Sequence, residues 1–181
     1  MKQLKRPTRR TLVVLHVCAS ASWLGLSLGL LGLSVTAVVH NSPAAIEASY
    51  RSMSVFANWL MIPIALLTLA SGLALSLGTP WGLARHRWVW TKFCLTLVTT
   101  VLTAFSLRPA VNSAAEQAAA GAAVSDASGL LAAPVVSLSA YVFMTAISVL
   151  KPWGKTRYGR RLQVSASSAK GLDERSPRPT A

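Results

Sequence analysis

Residues 12–39 read LVVLHVCASASWLGLSLGLLGLSVTAVV, and this stretch decides the fold class. It is 28 residues long, and His16 is its only basic side chain. Because about 20 predominantly apolar residues suffice to cross the hydrocarbon core of a bilayer as a helix, the stretch is long enough to span a membrane. It therefore predicts a first transmembrane helix.

The same stretch has features of a secretory signal peptide. Basic residues precede it at 2–10, and the small residues ASA at 19–21 are typical of a cleavage site. The apolar sequence nevertheless continues for 18 residues after Ala21, whereas a cleaved peptide ends close to its cleavage site. We therefore expect the first span to be retained.

Three more apolar runs follow, at 55–77, 89–107 and 130–150. Only the third contains a full charge, Lys92, close to its front end. Hydrophobic residues make up 52% of the chain and charged residues only 13%, whereas about 25% of a soluble domain is charged. The pattern predicts an all-α polytopic membrane protein whose residues 12–150 form a four-transmembrane-helix bundle.

The basic residues lie on alternate sides of the predicted spans. Five Lys and Arg residues lie in the N-terminal arm 1–11, two lie in the loop after the second span, and eight lie in the tail 151–181. The two remaining loops hold Arg51 and Arg108 alone. Because loops rich in Lys and Arg stay in the cytoplasm, both termini are predicted to be cytoplasmic. The Ala-rich stretch 109–129 then lies outside, either as a helical extension or as a mobile loop.

The formal net charge of +13 bears on the choice of partners. In a soluble protein such a charge suggests nucleic acid. Here the basic residues are confined to the ends and one short loop, so we expect a lipid bilayer as the partner and no nucleic acid. The segment KPWGKTRYGRR at 151–161 is predicted to bind anionic lipids of the inner leaflet, and the polar Pro- and Ser-rich tail beyond it is expected to be disordered.

Polar side chains follow one another at helical spacing on each span. We expect an interior polar stripe that includes Trp23, Ser27, Asn58, Thr96, Thr99 and Tyr141. One interpretation is that the hydroxyls bond backbone carbonyls and hold the helices together, and the other is a cavity for a small molecule or cofactor. His16 and Lys92 are the candidate ligand or proton-carrier residues, because ionisable side chains inside a membrane are costly and often functional.

Small residues line a second face of the first span, opposite His16. Gly25, Gly29 and Gly32 leave room for close backbone approach, and Gly72 does so on the second span. Packing within the bundle is the expected use of these glycines, and the alternative is contact with a membrane protein partner or a second copy of the chain. Pro63, on the second span, is predicted to kink its helix.

Motifs of soluble enzymes are absent from the sequence. It has no phosphate-binding loop, no metal-ligand pair at helical spacing and no nucleophile motif, so no metal site and no catalytic residue is predicted. Cys18 and Cys94 lie inside apolar runs, which argues against a disulfide framework. An ordinary soluble-type enzyme is therefore not expected.

Three segments carry a resemblance to known proteins. They are LHVCASASWLG at 15–25, IPIALLTLASGLALSLGTPWGLARHRWVWTKFCLTL at 62–97 and SVLKPWGKTRYGRR at 148–161. Together they resemble a bacterial, mainly actinobacterial, family of predicted integral membrane proteins with a domain of unknown function. The resemblance implies a four-helix protein of the bacterial plasma membrane.

The histidine before WLG and the pattern Trp88, Trp90, Lys92 are more distantly similar to two other groups. These are the membrane-bound protoporphyrinogen oxidases of the HemJ type and the copper-resistance D type membrane proteins. The similarity implies a haem- or porphyrin-linked oxidoreductase that uses His16 and Lys92, with haem b as cofactor. The chain departs from the closer family where further histidines are often found, because 103–111 and 130–136 read TAFSLRPAV and LLAAPVV.

Three functions follow from these observations. The leading one is a non-enzymatic membrane module that packs with partners or binds a small ligand in a polar bundle interior. The second is the haem- or porphyrin-linked oxidoreductase. The third is a small transporter or channel subunit, which the lack of an inverted repeat and of midplane charge makes the weakest.

Overall fold

The computed structural model describes residues 4–78, 86–150, 154, 156, 157, 160 and 161. Within these residues the chain forms four long helices, α1 (Arg6–Val39), α2 (Pro43–Gly78), α3 (Arg87–Ala119) and α4 (Ala127–Leu150). Each is long and apolar enough to cross a membrane, so the predicted all-α fold with four spanning helices is confirmed. Outside the described residues lie 79–85, which include Arg85 of the α2–α3 loop, most of the segment 151–161 and the tail from 162.

The four helices form a bundle in which α1 and α3 lie diagonally opposite each other. Both pack against α2 and against α4. The end of the bundle that holds the start of α1 and the end of α4 is called the terminal end. The opposite end, called the loop end, holds the two short connections 40–42 and 120–126. Large apolar side chains such as Phe105, 80% exposed, and Trp59, 76% exposed, point outward, as expected for a surface solvated by lipid.

The hydrophobic core fills the loop end of the bundle. Tyr50 and Met53 of α2 are buried together with Val111 and Ala114 of α3, and Leu30 of α1 joins the same core. This packing explains why α2 begins at Pro43 and α3 continues to Ala119, well beyond the apolar runs. The Ala-rich stretch is therefore a helical extension first and a turn only afterwards, at Gly121, whose φ of 69° is one that glycine adopts readily.

Two of the helices contain a π-helical turn just before a proline. In α2 the π turn covers Phe56–Met61 and precedes Pro63, and in α3 it covers Thr103–Leu107 and precedes Pro109. A proline inside a helix has no N–H to donate and its ring clashes with the carbonyl four residues earlier. The wider π turn accommodates both effects. The disturbance predicted at Pro63 thus takes the form of a π turn.

Pro134 is accommodated differently, by a neighbouring helix. It lies inside α4 and leaves the carbonyl of Leu130 without its usual intrahelical donor. The hydroxyl of Ser34, from α1, donates to that carbonyl at 2.9 Å. Such rescue by a serine of an adjacent helix is how membrane helices tolerate proline, and here it also fixes α1 against α4.

The four glycines expected to pack helices divide into two groups. A Cβ added at Gly29 would lie 3.1 Å from the ring of Phe56, and one at Gly72 would lie 3.1 Å from the ring of His16, so both positions are close contacts between helices. A Cβ at Gly25 or Gly32 would have no described atom within 4 Å. Gly25 and Gly32 therefore make no close contact with the described residues, because the face of α1 that turns inward is the one that buries Trp23, Ser27, Leu30, Ser34 and Ala37.

Candidate functional site

A cavity of about 500 Å³ lies between the four helices, on the terminal side of the core. Side chains from every helix border it, including His16 and Trp23 of α1, Gly72 of α2, Lys92 of α3 and Tyr141 of α4. Seven of the eight residues predicted for the site or the interior stripe border this space, and the list is His16, Lys92, Trp23, Ser27, Thr96, Thr99 and Tyr141.

His16 is held in one orientation by α2. Its Nδ1 lies 3.0 Å from Oγ of Ser71, and the Ser71 hydroxyl in turn lies 2.6 Å from the carbonyl of Leu67. A hydroxyl has a single proton, and the shorter contact to the carbonyl claims it. Nδ1–H of His16 therefore donates to Ser71, and the neutral ring keeps its unprotonated Nε2 for a ligand.

Gly72 is the reason that this orientation is possible. Its missing side chain leaves the space that the imidazole ring of His16 fills, since a Cβ there would lie 3.1 Å from Cε1. The glycine and Ser71 are neighbours on α2, so one turn of helix supplies both the space and the hydrogen bond. The sequence gives no direct sign of this pairing, because His16 and Ser71 are 55 residues apart.

Lys92 carries a charge that the described residues do not neutralise. Its Nζ donates to Oγ of Ser148 on α4 at 3.2 Å. The acids among the described residues, Glu47, Glu116 and Asp126, all lie toward the loop end of the bundle. An ammonium group has three protons to donate, so Lys92 retains donors for a further acceptor in the cavity.

His16 and Lys92 lie at the same level of the bundle. Oγ of Ser27 and Oγ of Ser137 are 3.1 Å apart and mark the far side of the cavity, where α1 meets α4. His16 precedes Ser27 by eleven residues and Ser148 follows Ser137 by eleven, about 16 Å along each helix. Because Lys92 bonds Ser148, both basic side chains border the terminal end of the cavity.

The indole of Trp23 is the one buried side-chain donor among the described residues that has no acceptor. Trp23 is 7% exposed and borders the cavity between the levels of His16 and Ser27. A buried N–H without an acceptor is costly. The nitrogen itself is enclosed by protein atoms, so a molecule in the cavity does not reach it in this arrangement. No described side chain bonds the hydroxyl of Tyr141, so this polar group on the cavity wall is available to a bound molecule.

Three threonine hydroxyls beside the cavity are bonded to their own helices. Thr68, Thr96 and Thr99 each donate to the carbonyl four residues earlier, at 2.9, 2.8 and 2.8 Å. These hydroxyls are satisfied and turn few donors toward the cavity. The threonines therefore fit the interpretation in which hydroxyls bond backbone carbonyls. The cavity that the other interpretation requires is also present.

Asn58 lies apart from this cavity. Its side chain pairs with that of Asn112 on α3, where Nδ2 of Asn58 donates to Oδ1 of Asn112 at 2.8 Å. Nε of Arg108 donates to Oδ1 of Asn58 at 2.7 Å. Asn112 is not predicted as a partner of Asn58, because it lies beyond the apolar run that predicts the third span. The group links α2 to α3 next to both π turns.

A haem held by two histidines does not fit the described residues. His16 is the one imidazole that borders the cavity, because His40 lies at the loop end and His86 precedes α3 outside the lining. Bis-histidine ligation needs an imidazole on each side of the iron. Met144 also borders the cavity, and its sulfur lies 3.4 Å from the hydroxyl of Thr96, whose proton goes to the carbonyl of Lys92 at 2.8 Å. The described residues also contain no cluster of three or more metal-binding side chains.

Comparisons with known proteins leave the site to be interpreted from its own chemistry. No protein-family model matches the chain, and neither the curated proteins nor the solved structures contain a significant match. The resemblances drawn from the sequence segments remain expectations.

Proposed function

We propose that this chain is an integral membrane protein that binds a small molecule in the cavity between its four helices. The observation that carries the proposal is the uncompensated ammonium of Lys92 on the wall of a cavity of about 500 Å³. The protons of this ammonium that Ser148 does not accept lack acceptors, which a bound molecule would supply. A bundle needed only for helix packing would gain stability from an apolar side chain at this position.

The choice of a binding module over a channel rests on the core. The cavity lies on the terminal side, whereas Leu30, Met53, Met61 and Leu130 are almost completely buried in the loop-end half. This packing supports a pocket that is closed at one end. A transporter or channel subunit, the third function considered, would need a path past these side chains.

The proposal is tested by filling the cavity. Thr99→Phe places a ring in the cavity wall, and Thr91→Phe makes the same change on the same helix at a position that does not border the cavity. Both threonines donate to a carbonyl four residues earlier, so the pair is matched in its local hydrogen bonding. We expect native mass spectrometry of the purified protein to show a bound small molecule in the wild type and in Thr91→Phe, and at least about tenfold less of it in Thr99→Phe.

Equal occupancy in Thr99→Phe and the wild type would contradict the proposal, as would a wild type free of any bound molecule after mild extraction. Thermal unfolding of both variants checks that each is folded. A lower occupancy in both variants would point to general destabilisation and would also count against the cavity.

A porphyrin-linked function is the second candidate. The free Nε2 of His16 favours it, because a neutral imidazole whose Nδ1–H is already bonded could bind a haem iron. The ammonium of Lys92 would bind the carboxylates of a porphyrin. An absorption spectrum of the purified protein separates the candidates: a Soret band that weakens in His16→Ala supports the porphyrin, and a colourless protein with a bound molecule supports the simpler module.

We further propose that the protein lies in the bacterial plasma membrane with both termini in the cytoplasm. Four long apolar helices support a multi-pass arrangement, and the bias of Lys and Arg toward the terminal end supports the orientation. The cavity then lies in the cytoplasmic half of the membrane.

A further inference from the structure

The wall of the cavity is mainly apolar. Leu69, Leu73, Phe93 and Met144 contribute to it, together with the methyl groups of threonines whose hydroxyls are bonded to the backbone. A hydrophilic solute would lose most of its hydrogen bonds with water in such a space. The wall therefore favours a molecule with a large apolar part.

One end of the cavity is cationic. Lys92 lies there beside His16, and Arg9 borders the opening nearest the start of α1. No carboxylate among the described residues pairs with Lys92. A buried or half-buried charge is stable only when paired or hydrogen-bonded, and an anionic group on the bound molecule would provide both. The polar part of that molecule is therefore expected to be negative.

Exposed side chains of α1 and α4 border the cavity toward the terminal end of the bundle. These helices are joined toward the loop end, through Ser27 and Ser137 and through Ser34 and the carbonyl of Leu130. Toward the terminal end they border the cavity instead, with Val17, 58% exposed, on α1 and Val149, 74% exposed, on α4. A bilayer surrounding the bundle would contact both side chains, which favours a lateral gap between α1 and α4 as the route of a membrane-dissolved molecule to the cavity.

From the apolar wall, the cationic end and the lateral gap, we propose that the cavity binds an anionic amphiphile of the membrane. Its negative headgroup bonds Lys92, with Arg9 at the mouth, and its hydrocarbon chain leaves or enters through the gap between α1 and α4. This inference rests on the proposed binding function and names its ligand class.

The test uses the full-length protein reconstituted in phosphatidylcholine nanodiscs and three probes. Oleoyl lysophosphatidic acid has an anionic headgroup and one chain, oleoyl lysophosphatidylcholine has the same chain with a zwitterionic headgroup, and inorganic phosphate has no chain. We expect the first to bind at least about tenfold more tightly than the second, and the third to bind undetectably. Binding is measured by native mass spectrometry over a concentration series.

Variants assign the contacts. Lys92→Met removes the charge at nearly constant length and should weaken the anionic probe about tenfold, while Lys92→Arg should retain most of its affinity. Arg87→Gln removes a charge from the same helix at a position that does not border the cavity, and should leave affinity unchanged.

Two results would overturn this inference while leaving the proposed function intact. One is equal binding of the two amphiphiles with both sensitive to Thr99→Phe, which would show a cavity indifferent to headgroup charge. The other is binding of inorganic phosphate as tight as that of the amphiphile, which would identify a free anion as the ligand. If Thr99→Phe affected no probe at all, the cavity itself would not be the site, and the proposed function would fail with the inference.

Discussion

At the scale of single residues, the site depends on polar side chains that have fewer hydrogen-bond partners than they can take. His16 has one nitrogen fixed by Ser71 and one left over, and Lys92 has more protons than the acceptors around it. The sequence indicated both side chains because ionisable groups inside an apolar run are unusual. It could not indicate Ser71, since serines at helical spacing most often bond their own backbone, as this one also does.

The tautomer of His16 is the first consequence that can be measured. In protein labelled with ¹⁵N on histidine, we expect the His16 ring to show a protonated Nδ1 and an unprotonated Nε2 at neutral pH. Because Ser71 accepts from Nδ1, Ser71→Ala should remove this preference and shift the ring toward the other tautomer. The ¹⁵N shifts of His40, which lies at the loop end, should not change. A ring already protonated on Nε2 in the wild type would reverse the assignment.

At the scale of helices, the apolar runs predicted the number and class of the elements but not their ends. A run of apolar residues marks the part of a helix that lipid surrounds. Residues 43–54 of α2 are more polar, and they are helical because Ser49, Tyr50 and Met53 pack against α3. That stabilisation comes from another helix, so local sequence does not reveal it.

Local sequence also does not reveal which face of α1 packs against the other helices. Gly25 and Gly32 have the spacing of a packing surface, but which face of α1 turns inward is decided by the whole bundle. The buried face carries Ser27 and Ser34, whose hydroxyls find partners on α4. Exposing these serines to lipid would leave fewer ways to satisfy them than exposing glycines, which have no polar side chain.

The contact between Ser34 and the carbonyl of Leu130 predicts a coupling between two helices. Ser34→Ala should lower the free energy of unfolding by about 1 kcal/mol, because the carbonyl freed by Pro134 loses its donor. In a Pro134→Ala background the restored backbone N–H serves that carbonyl, so the same Ser34→Ala change should cost less than half as much. Denaturant unfolding in a fixed detergent mixture measures both values.

Thr36→Ala provides the matched control for this cycle. Thr36 is on the same helix, and its hydroxyl donates to the carbonyl of Gly32 within α1. Its removal should have a smaller effect that does not depend on Pro134. An equal cost of Ser34→Ala with and without the proline would mean that the bond does not replace the missing donor.

At the scale of the whole molecule, the bundle has a packed half and a hollow half. The large buried side chains of the loop end hold the four helices together, and the small and polar residues of the terminal end leave the cavity. This division separates stability from binding. It also gives the cavity a fixed position relative to the termini, so the side of the membrane that holds the termini also holds the cationic end of the site.

That side is predicted by the distribution of basic residues. The arm before α1, the loop between α2 and α3 and the tail after α4 contain most of the Lys and Arg residues, whereas the two loop-end connections and their flanks contain Arg51 and Arg108. Because basic loops are retained in the cytoplasm, a fluorescent protein fused to either terminus should be fluorescent, and alkaline phosphatase fused there should be inactive. Phosphatase inserted at Ala123, in the turn between α3 and α4, should be active. Active phosphatase at a terminus would invert the bundle and place Lys92 and Arg9 next to the outer leaflet, where the anionic amphiphile would then have to be found.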